Sequence, residues 1–189
     1  MIQLVMAHPD DEVIFGWPVL QKVGSILICS NDRNNSLRAW CRYRYQALQE
    51  VGELLGIEVK SLDYDSDFYK LNARDGSLKH WMNEVYANIR HDAEYIYTHN
   101  WMGEYGHLDH ILVYLTMLKT GKKLITSDIH MESDWLSFPE IPIDGRPGRA
   151  ISKCVIDMEF YAKCKAIYDK HGVWTWNQPP VCHCDLIRL

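Results

Sequence analysis

Short apolar runs alternate with longer amphipathic stretches along most of this chain. Six runs have the length and composition of buried strands, namely residues 2–6, 25–30, 58–62, 93–98, 123–129 and 150–157. Between them, apolar residues recur at three- and four-residue spacing and predict helices over residues 11–23, 37–55, 78–91, 109–119 and 158–171. Strands that alternate with helices are typical of an α/β fold with a mainly parallel sheet.

Glycine and proline residues mark the ends of several predicted elements. Gly24, Gly56, Gly121 and Gly172 each follow the last apolar position of a helix, where a glycine in the left-handed conformation commonly ends it. Pro18 falls inside the first predicted helix and is expected to shorten or kink it. Three prolines and two glycines within residues 131–149 predict a long surface loop.

Length and composition indicate an ordinary globular protein. A chain of 189 residues is expected to form a single domain over residues 1–189. The chain has 47% apolar residues and a formal net charge of −5, and its basic residues form no broad face, which argues against a nucleic-acid partner. Because no signal peptide and no apolar run of bilayer length is visible, we expect a cytoplasmic protein without a membrane partner. The sequence leaves homo-oligomerisation open.

The six cysteines are expected to be reduced thiols in that compartment. The run Cys182-His183-Cys184 carries donor atoms for a soft metal, but no second cysteine pair stands at the spacing of a zinc finger. We therefore interpret this run as part of a docked or frayed tail.

Two clusters of histidine and aspartate each follow a predicted strand. The sequence AHPDDE at residues 7–12 comes after the first run, and YGHLDH at residues 105–110 comes after the fourth. Ligands of open α/β sheets bind beyond the carboxyl ends of the strands, so we expect the two clusters to converge there. Taken alone, each also has a structural interpretation, because aspartates at a helix start cap free backbone N–H groups.

The spacing within the clusters favours a shared metal ion. His8 and Asp11 lie three residues apart across a strand-to-helix turn, so both can reach one ion while Asp10 points elsewhere, and His110 supplies a third ligand. Three protein ligands leave a position for water, as in catalytic zinc sites. The same nitrogen and oxygen ligands also accept Fe²⁺ or Co²⁺, so the sequence favours Zn²⁺ without excluding those ions.

These motifs resemble those of the PIG-L/LmbE-like family of zinc-dependent N-acetylglucosamine deacetylases. AHPDDE at residues 7–12 and GHLDH at residues 106–110 agree with the family in order, separation and position after strands. Weaker agreement includes Arg44, LGI at residues 55–57 and YDS at residues 64–66. The resemblance covers roughly the first two-thirds of the chain and implies a single-domain, Rossmann-like three-layer sandwich.

The resemblance implies a division between ligands and base in the metal site. By resemblance, His8, Asp11 and His110 hold zinc, and Asp10 is the general base that deprotonates the zinc-bound water. The chemistry is consistent with this division, because a metal lowers the pKa of its water and a separate carboxylate can then accept the proton. The sequence leaves open whether Asp10 or His107 protonates the leaving amine.

Further roles come from the resemblance alone. His107 would be a charged or proton-donating group near the tetrahedral intermediate, oriented by Asp109. Tyr105 stands where the family often has a tyrosine that polarises the substrate carbonyl, although a loop tyrosine also commonly packs. Arg44 and Asp65 match positions that contact the sugar or its substituent.

The expected function is hydrolytic removal of an acetyl group from an N-acetylated amino sugar or a related small molecule. Two alternatives stay open, a different metal-assisted hydrolysis such as phosphoester cleavage and a non-catalytic ligand-binding domain on the same fold. The first is disfavoured by the single visible metal site, and the second by the presence of Asp10, which a binding domain does not need. Residues 30–35 and Ala47 depart from the family pattern and indicate altered substrate recognition.

Two other features stand near the predicted site. His99 directly follows the fourth strand and is a candidate to line the pocket. The aromatic run at residues 174–177 is equally consistent with stacking on a sugar ring and with packing in the core.

Overall fold

A computed structural model describes residues 1–30, 39–131 and 148–189 of the chain. Its strands form one seven-stranded sheet in the order β3-β2-β1-β4-β5-β7-β6. Their bounds are β1 Ile2–Met6, β2 Ser25–Ile28, β3 Glu58–Ser61, β4 Tyr95–Thr98, β5 Lys123–Ser127, β6 Arg149–Val155 and β7 His183–Arg188. All six predicted strands are confirmed; β1 has the predicted bounds, β6 begins one residue earlier and ends two residues earlier, and the other four are shorter.

The strands β3, β2, β1, β4 and β5 pair in parallel, which confirms the mainly parallel sheet. At the far edge, β7 lies antiparallel between β5 and β6. The sequence analysis did not predict β7, because its first two residues, His183 and Cys184, belong to the Cys182-His183-Cys184 run that we interpreted as a tail. Cys184 instead lies opposite Cys154 in the β6–β7 ladder.

The central strand β1 contributes to two separate hydrophobic cores, one on each face of the sheet. Leu4 and Met6 point to a core that also contains Leu48 and Tyr168, whereas Val5 points to a core with Trp81. Side chains alternate between the two faces of a strand, so a strand buried on both faces is apolar throughout. The expected arrangement of helices on both sides of the sheet is therefore present.

The helices are α1 Asp11–Ile14, α2 Ala39–Leu55, α3 Ser77–Ala87, α4 Gly103–Gly106, α5 Leu108–Leu118 and α6 Met158–Lys170. The turn α4 is irregular and has non-helical backbone angles inside it. Two 3₁₀ turns lie at Leu20–Lys22 and Phe68–Lys70. Four of the predicted helices correspond to α2, α3, α5 and α6.

The predicted helix at residues 11–23 is wrong beyond its first turn. Helix α1 ends at Ile14, and Pro18, which has no N–H to donate, lies in the irregular segment that follows. The chain turns at Gly16, where an added Cβ would lie 2.4 Å from the carbonyl oxygen of Glu12. The short helix still brings the residues after β1 to the edge of the sheet.

Three of the four expected glycine stops have the left-handed backbone, with φ of 67° at Gly56, 69° at Gly121 and 66° at Gly172. Gly24 does not, because a 3₁₀ turn rather than an α-helix precedes it. Most of the loop predicted at residues 131–149, and most of the divergent stretch at residues 30–35, lie outside the described residues. None of the helices within the described ranges is long and apolar enough to cross a membrane.

Candidate active site

The two histidine and aspartate clusters meet at one pocket beyond the carboxyl ends of β1 and β4. The pocket has a volume of about 200 Å³ and contains residues from both clusters and from the C-terminal part of the chain. Its lining residues are His8, Asp10, Asp11, Ile14, Phe15, Arg44, Ser66, Tyr105, His107, Thr175 and Trp176.

Two of the predicted metal ligands, His8 and His110, lie close to a carboxylate oxygen of the third, Asp11. Asp11 Oδ2 lies 3.3 Å from His8 Nδ1 and 3.3 Å from His110 Nε2. All three residues are buried. The same oxygen also accepts a hydrogen bond of 2.8 Å from the backbone N–H of His8, which fixes the turn after β1.

These donor atoms fit a small divalent ion. Ligands about 2.0–2.2 Å from a tetrahedral ion are separated by about 3.3–3.6 Å, which matches the two distances to Asp11 Oδ2. His110 Nε2 is buried and has no hydrogen-bond partner among the described residues, whereas buried polar atoms normally have one. Among the described residues, two sets of three have donor atoms close enough for one ion: His8, His107 and His110, and Asp11, His99 and His110. Each set contains two of the three predicted ligands.

The carboxylate of Asp10 lies in the same pocket and has different partners. Arg44 donates from Nη2 to Asp10 Oδ1 at 2.6 Å, and Thr175 donates from Oγ1 to Asp10 Oδ2 at 2.6 Å. Arg44 also donates to the carbonyl oxygen of Pro9. Burial raises the pKa of Asp10, and the positive charge of Arg44 opposes that rise. Asp10 has a left-handed backbone with φ of 95°, which turns its side chain away from that of Asp11.

Glu12 is completely buried behind Asp10. Its Oε2 accepts a hydrogen bond from the backbone N–H of Asp10 at 2.8 Å, and its Oε1 accepts one from the hydroxyl of Tyr168 at 2.5 Å. Burial raises the pKa of Glu12 from 4.5 to about 8. Glu12 therefore links helix α6 to the strained turn that carries Asp10.

The structure differs from the expectation that Asp109 orients His107. The Asp109 carboxylate accepts hydrogen bonds from the backbone N–H groups of Asp67 and Tyr69, and its Oδ2 lies 3.0 Å from His8 Nε2. Asp109 therefore orients His8, and the contact with His107 is made only by the Asp109 backbone N–H. Burial and the neighbouring imidazoles of His110 and His8 lower the pKa of His107 to about 3, which favours its neutral form.

Tyr105 belongs to an aromatic wall on one side of the pocket. Its ring centroid lies 6.0 Å from that of Phe15 and 5.3 Å from that of Trp176. Its ring also lies 5.4 Å from the ring of His110. The run at residues 174–177 thus contributes to the pocket through Thr175 and Trp176, while Trp174 packs against Tyr168.

The two residues expected to contact a sugar occupy different places. Arg44 lies inside the pocket beside Asp10, whereas Asp65 is exposed and lines a neighbouring cleft of about 490 Å³. Ser66 lines both cavities. The structure therefore brings Arg44 to the candidate site and leaves Asp65 at its periphery.

Glu104 is a buried residue of the site that the sequence analysis missed. Its Oε2 lies 2.9 Å from Nδ1 of His110 and 2.8 Å from Nδ1 of His99. The second ring nitrogen of His99, Nε2, accepts a hydrogen bond of 2.9 Å from the backbone N–H of Ala7. The position of Glu104 three residues before His107 gave a signal, but a glutamate in a polar loop is usually a surface residue.

A model of the PIG-L family, described as GlcNAc-PI de-N-acetylase, matches residues 3–120. The chain belongs to this family. The match includes both histidine and aspartate clusters and ends before the segment that contributes Tyr168 and Thr175.

A curated relative from Acanthamoeba polyphaga mimivirus is an uncharacterised protein that is 30% identical over 125 residues. The alignment covers 57% of this chain and 52% of the viral protein. The chain therefore spans about half the length of the curated relative that it matches.

Similar solved structures include a deacetylase of an antimicrobial pseudoaglycone, with a TM-score of 0.61, 15% identity and coverage of 91% of this chain and 81% of that chain. The zinc-inhibited form of teicoplanin deacetylase has a TM-score of 0.60, 12% identity and coverage of 99% and 98%. A 4-carboxy-2-hydroxymuconate hydratase from Pseudomonas putida has a TM-score of 0.54, 16% identity and coverage of 100% and 95%. These likenesses show the fold, which carries both deacetylases and a hydratase.

Proposed function

We propose that this protein is a metal-dependent hydrolase that removes an acetyl group from an N-acetylated amino sugar or a related small molecule. The products are the free amine and acetate. Membership of the PIG-L family supports a deacetylase, and the match includes the clusters that build the pocket. On this proposal the single domain extends over residues 1–189.

The observation that carries the proposal is the separation of two carboxylates that are adjacent in sequence. Asp11 faces His8 and His110 at ion-ligand spacing, whereas Asp10 faces Arg44 and Thr175. A hydrolase that uses a metal needs ligands and, separately, a base that the ion does not occupy. In our proposal His8, Asp11 and His110 are the ligands, and Asp10 is the base.

When bound, a Zn²⁺, Fe²⁺ or Co²⁺ ion would lower the pKa of a water molecule and polarise the substrate carbonyl. Asp10 then accepts the proton of the attacking water at a carboxylate oxygen, with Arg44 holding the carboxylate in place. Tyr105 and His107 line the same pocket, and in our proposal they donate a hydrogen bond to the developing oxyanion. The proton that Asp10 receives is available to the departing amine.

The shape of the site supports a small acyl group. The pocket of about 200 Å³ is bounded by the aromatic wall of Phe15, Tyr105 and Trp176, which gives the acetyl methyl group an apolar surface. The remainder of the substrate would extend toward the cleft at Ser66, where Asp65 is a candidate contact.

The test is release of amine from N-acetylglucosamine, other N-acetylated amino sugars and small acetamides. Each substrate is assayed with protein that has been stripped by a chelator and with the same protein reloaded with one equivalent of Zn²⁺, Co²⁺ or Fe²⁺. Loading is limited to one equivalent because one structural relative has a zinc-inhibited form. Metal-dependent release of equal amounts of amine and acetate supports the proposal. An ion bound at one equivalent without release from any acetamide contradicts it.

The same assay separates the alternatives. Release of phosphate from phosphoesters by the metal-loaded protein, without deacetylation, would favour phosphoester hydrolysis. Saturable binding of an acetamide that is not turned over would favour a ligand-binding domain.

A further inference from the structure

The buried turn that precedes the second cluster contains one carboxylate with an unusual set of partners. Glu104 is 1% exposed, and its carboxylate contacts the Nδ1 atoms of His99 and His110, whose rings stack on each other with centroids 3.8 Å apart. Its Oε2 lies 2.9 Å from His110 Nδ1 and 2.8 Å from His99 Nδ1, and its Oε1 accepts the backbone N–H of Asn100 at 2.9 Å. Since an ionised carboxylate only accepts hydrogen bonds, both Nδ1 atoms act as donors.

These contacts determine which nitrogen of each ring remains available. With its proton on Nδ1, a neutral His110 presents the lone pair of Nε2, and this atom lies 3.3 Å from Asp11 Oδ2 without a hydrogen-bond partner among the described residues. His99 has the same tautomer, but its Nε2 already accepts the backbone N–H of Ala7. Glu104 therefore prepares His110 to bind an ion and holds His99 as a support for the end of β1.

The backbone of Glu104 is held in place as firmly as its side chain. Its φ of 59° and ψ of −49° are unfavourable for a residue with a Cβ. Asn100 Oδ1 accepts the backbone N–H of Glu104 at 3.1 Å, and the carbonyl oxygen of Glu104 accepts the N–H of Met131 at 3.0 Å. A strained residue that is bonded at both ends and fully buried is typical of a position where the side chain is required.

We propose that Glu104 is a positioning residue for the metal ligand His110, through the hydrogen bond from His110 Nδ1 to Glu104 Oε2. This inference rests on the metal site of the proposed function. Carboxylates that accept the second ring N–H of a ligating histidine fix its tautomer and orientation, and their removal typically weakens metal binding by about 10–100-fold. We therefore expect Glu104→Gln and Glu104→Gly to raise the Kd for the ion by about 10–100-fold.

The two variants probe different properties. The glutamine keeps the size of the side chain but replaces one carboxylate oxygen by an NH₂ group, which donates. The two histidine Nδ1–H groups and the backbone N–H of Asn100 all require acceptors. The glycine removes the side chain and relieves the unfavourable φ, so any loss of metal affinity does not come from backbone strain. Glu50→Gln is the matched control, because Glu50 makes the same type of contact with His171 Nε2, at 2.7 Å, on the surface away from the pocket.

The experiment measures the Kd for Zn²⁺ by competition with a chromophoric chelator and records the absorption bands of the Co²⁺-loaded proteins. We expect wild-type protein and Glu50→Gln to bind one ion with equal Kd and identical Co²⁺ spectra. Weaker binding and shifted Co²⁺ bands in both Glu104 variants support the proposal. Wild-type Kd and spectra in those variants overturn it, as does the absence of metal binding by the wild-type protein.

A second measurement needs no variant and covers the case in which Glu104 substitutions prevent folding. Long-range ¹H–¹⁵N spectra of zinc-loaded wild-type protein are expected to show His110 protonated at Nδ1 and shifted by the metal at Nε2. A His110 that binds the ion through Nδ1 would overturn the proposal. A failure of the proposed function gives a different result from a failure of this proposal. In that case the wild-type protein binds the ion and releases no amine.

Discussion

The hydrogen bond between Tyr168 and Glu12 gives a prediction whose size follows from the structure. Both side chains are fully buried, and the Tyr168 hydroxyl donates to Glu12 Oε1 at 2.5 Å. Tyr168→Phe keeps the ring and its packing and removes only this donor. A hydrogen bond to a charged group contributes about 1.5–3 kcal/mol, whereas one between neutral groups contributes about 0.5–1.5 kcal/mol.

The pKa of Glu12 determines which of these values applies. Burial raises this pKa to about 8, so Glu12 is mainly ionised at pH 9 and mainly protonated at pH 6. We therefore expect Tyr168→Phe to lower the free energy of unfolding by about 1.5–3 kcal/mol at pH 9 and by about half as much at pH 6. A chain of this size loses about 2–4 °C in Tm per kcal/mol, so the shift at pH 9 is about 3–12 °C.

The assay is urea unfolding of chelator-treated protein followed by circular dichroism, so that bound metal does not contribute. Tyr161→Phe is the matched control, because Tyr161 lies on the same helix and is 5% exposed. Within the described residues, its hydroxyl makes no hydrogen bond to a charged group. If Tyr168→Phe costs no more than Tyr161→Phe, or costs the same at both pH values, the assignment of a charged hydrogen bond to Glu12 is refuted.

Further predictions concern the proposed catalytic roles and the pH dependence of folding. Asp10→Ala should retain the bound ion and lose turnover, whereas His110→Ala should lose both. Metal content and amine release are measured on the same samples. Unchanged turnover in Asp10→Ala would exclude Asp10 as the base. Tyr105→Phe should reduce kcat by about tenfold to a thousandfold if the hydroxyl faces the oxyanion, and an unchanged kcat would assign Tyr105 to packing. In metal-free protein, Glu12 stays protonated up to about pH 8 in the folded state, whereas in the unfolded state it ionises from about pH 4.5. Its contribution to the free energy of unfolding is therefore lost as the pH rises from about 4.5 to about 8. Glu12→Gln should remove that part of the decrease, and parallel wild-type and variant curves would contradict the raised pKa.

Local patterns were sufficient to predict most of the sheet and the convergence of the two clusters. The strands of the parallel region are short, continuous apolar runs, and their order along the chain places the ends of β1 and β4 side by side. Strand β7 escaped prediction because its first residues, His183 and Cys184, belong to a run that resembles a metal-binding motif and was interpreted as a tail. Helix α1 ends earlier than its apolar spacing predicts, and Pro18, which has no N–H to donate, lies in the irregular segment that follows.

The supporting residues of the site could not be predicted, because they are defined by contacts distant in sequence. The partners of Asp10 and Glu12 include Thr175 and Tyr168, which lie 165 and 156 residues away, respectively. Periodicity reports which face of its own element a residue occupies and gives no information on such pairs. The contact between the Asp109 carboxylate and His8 was missed for the same reason, since the two residues are 101 positions apart.

The length of these connections determines when the site can assemble during protein synthesis. Contacts between distant residues form slowly, because a long loop must close before they stabilise the fold. Residues 1–12 leave the ribosome long before Tyr168 and Thr175 do, so a nascent chain can pair β1 with β2 while Asp10 still lacks two of its supports. Completion of the pocket must await docking of α6 and the segment after it, and the appearance of amine release during translation would therefore report the last stage of folding.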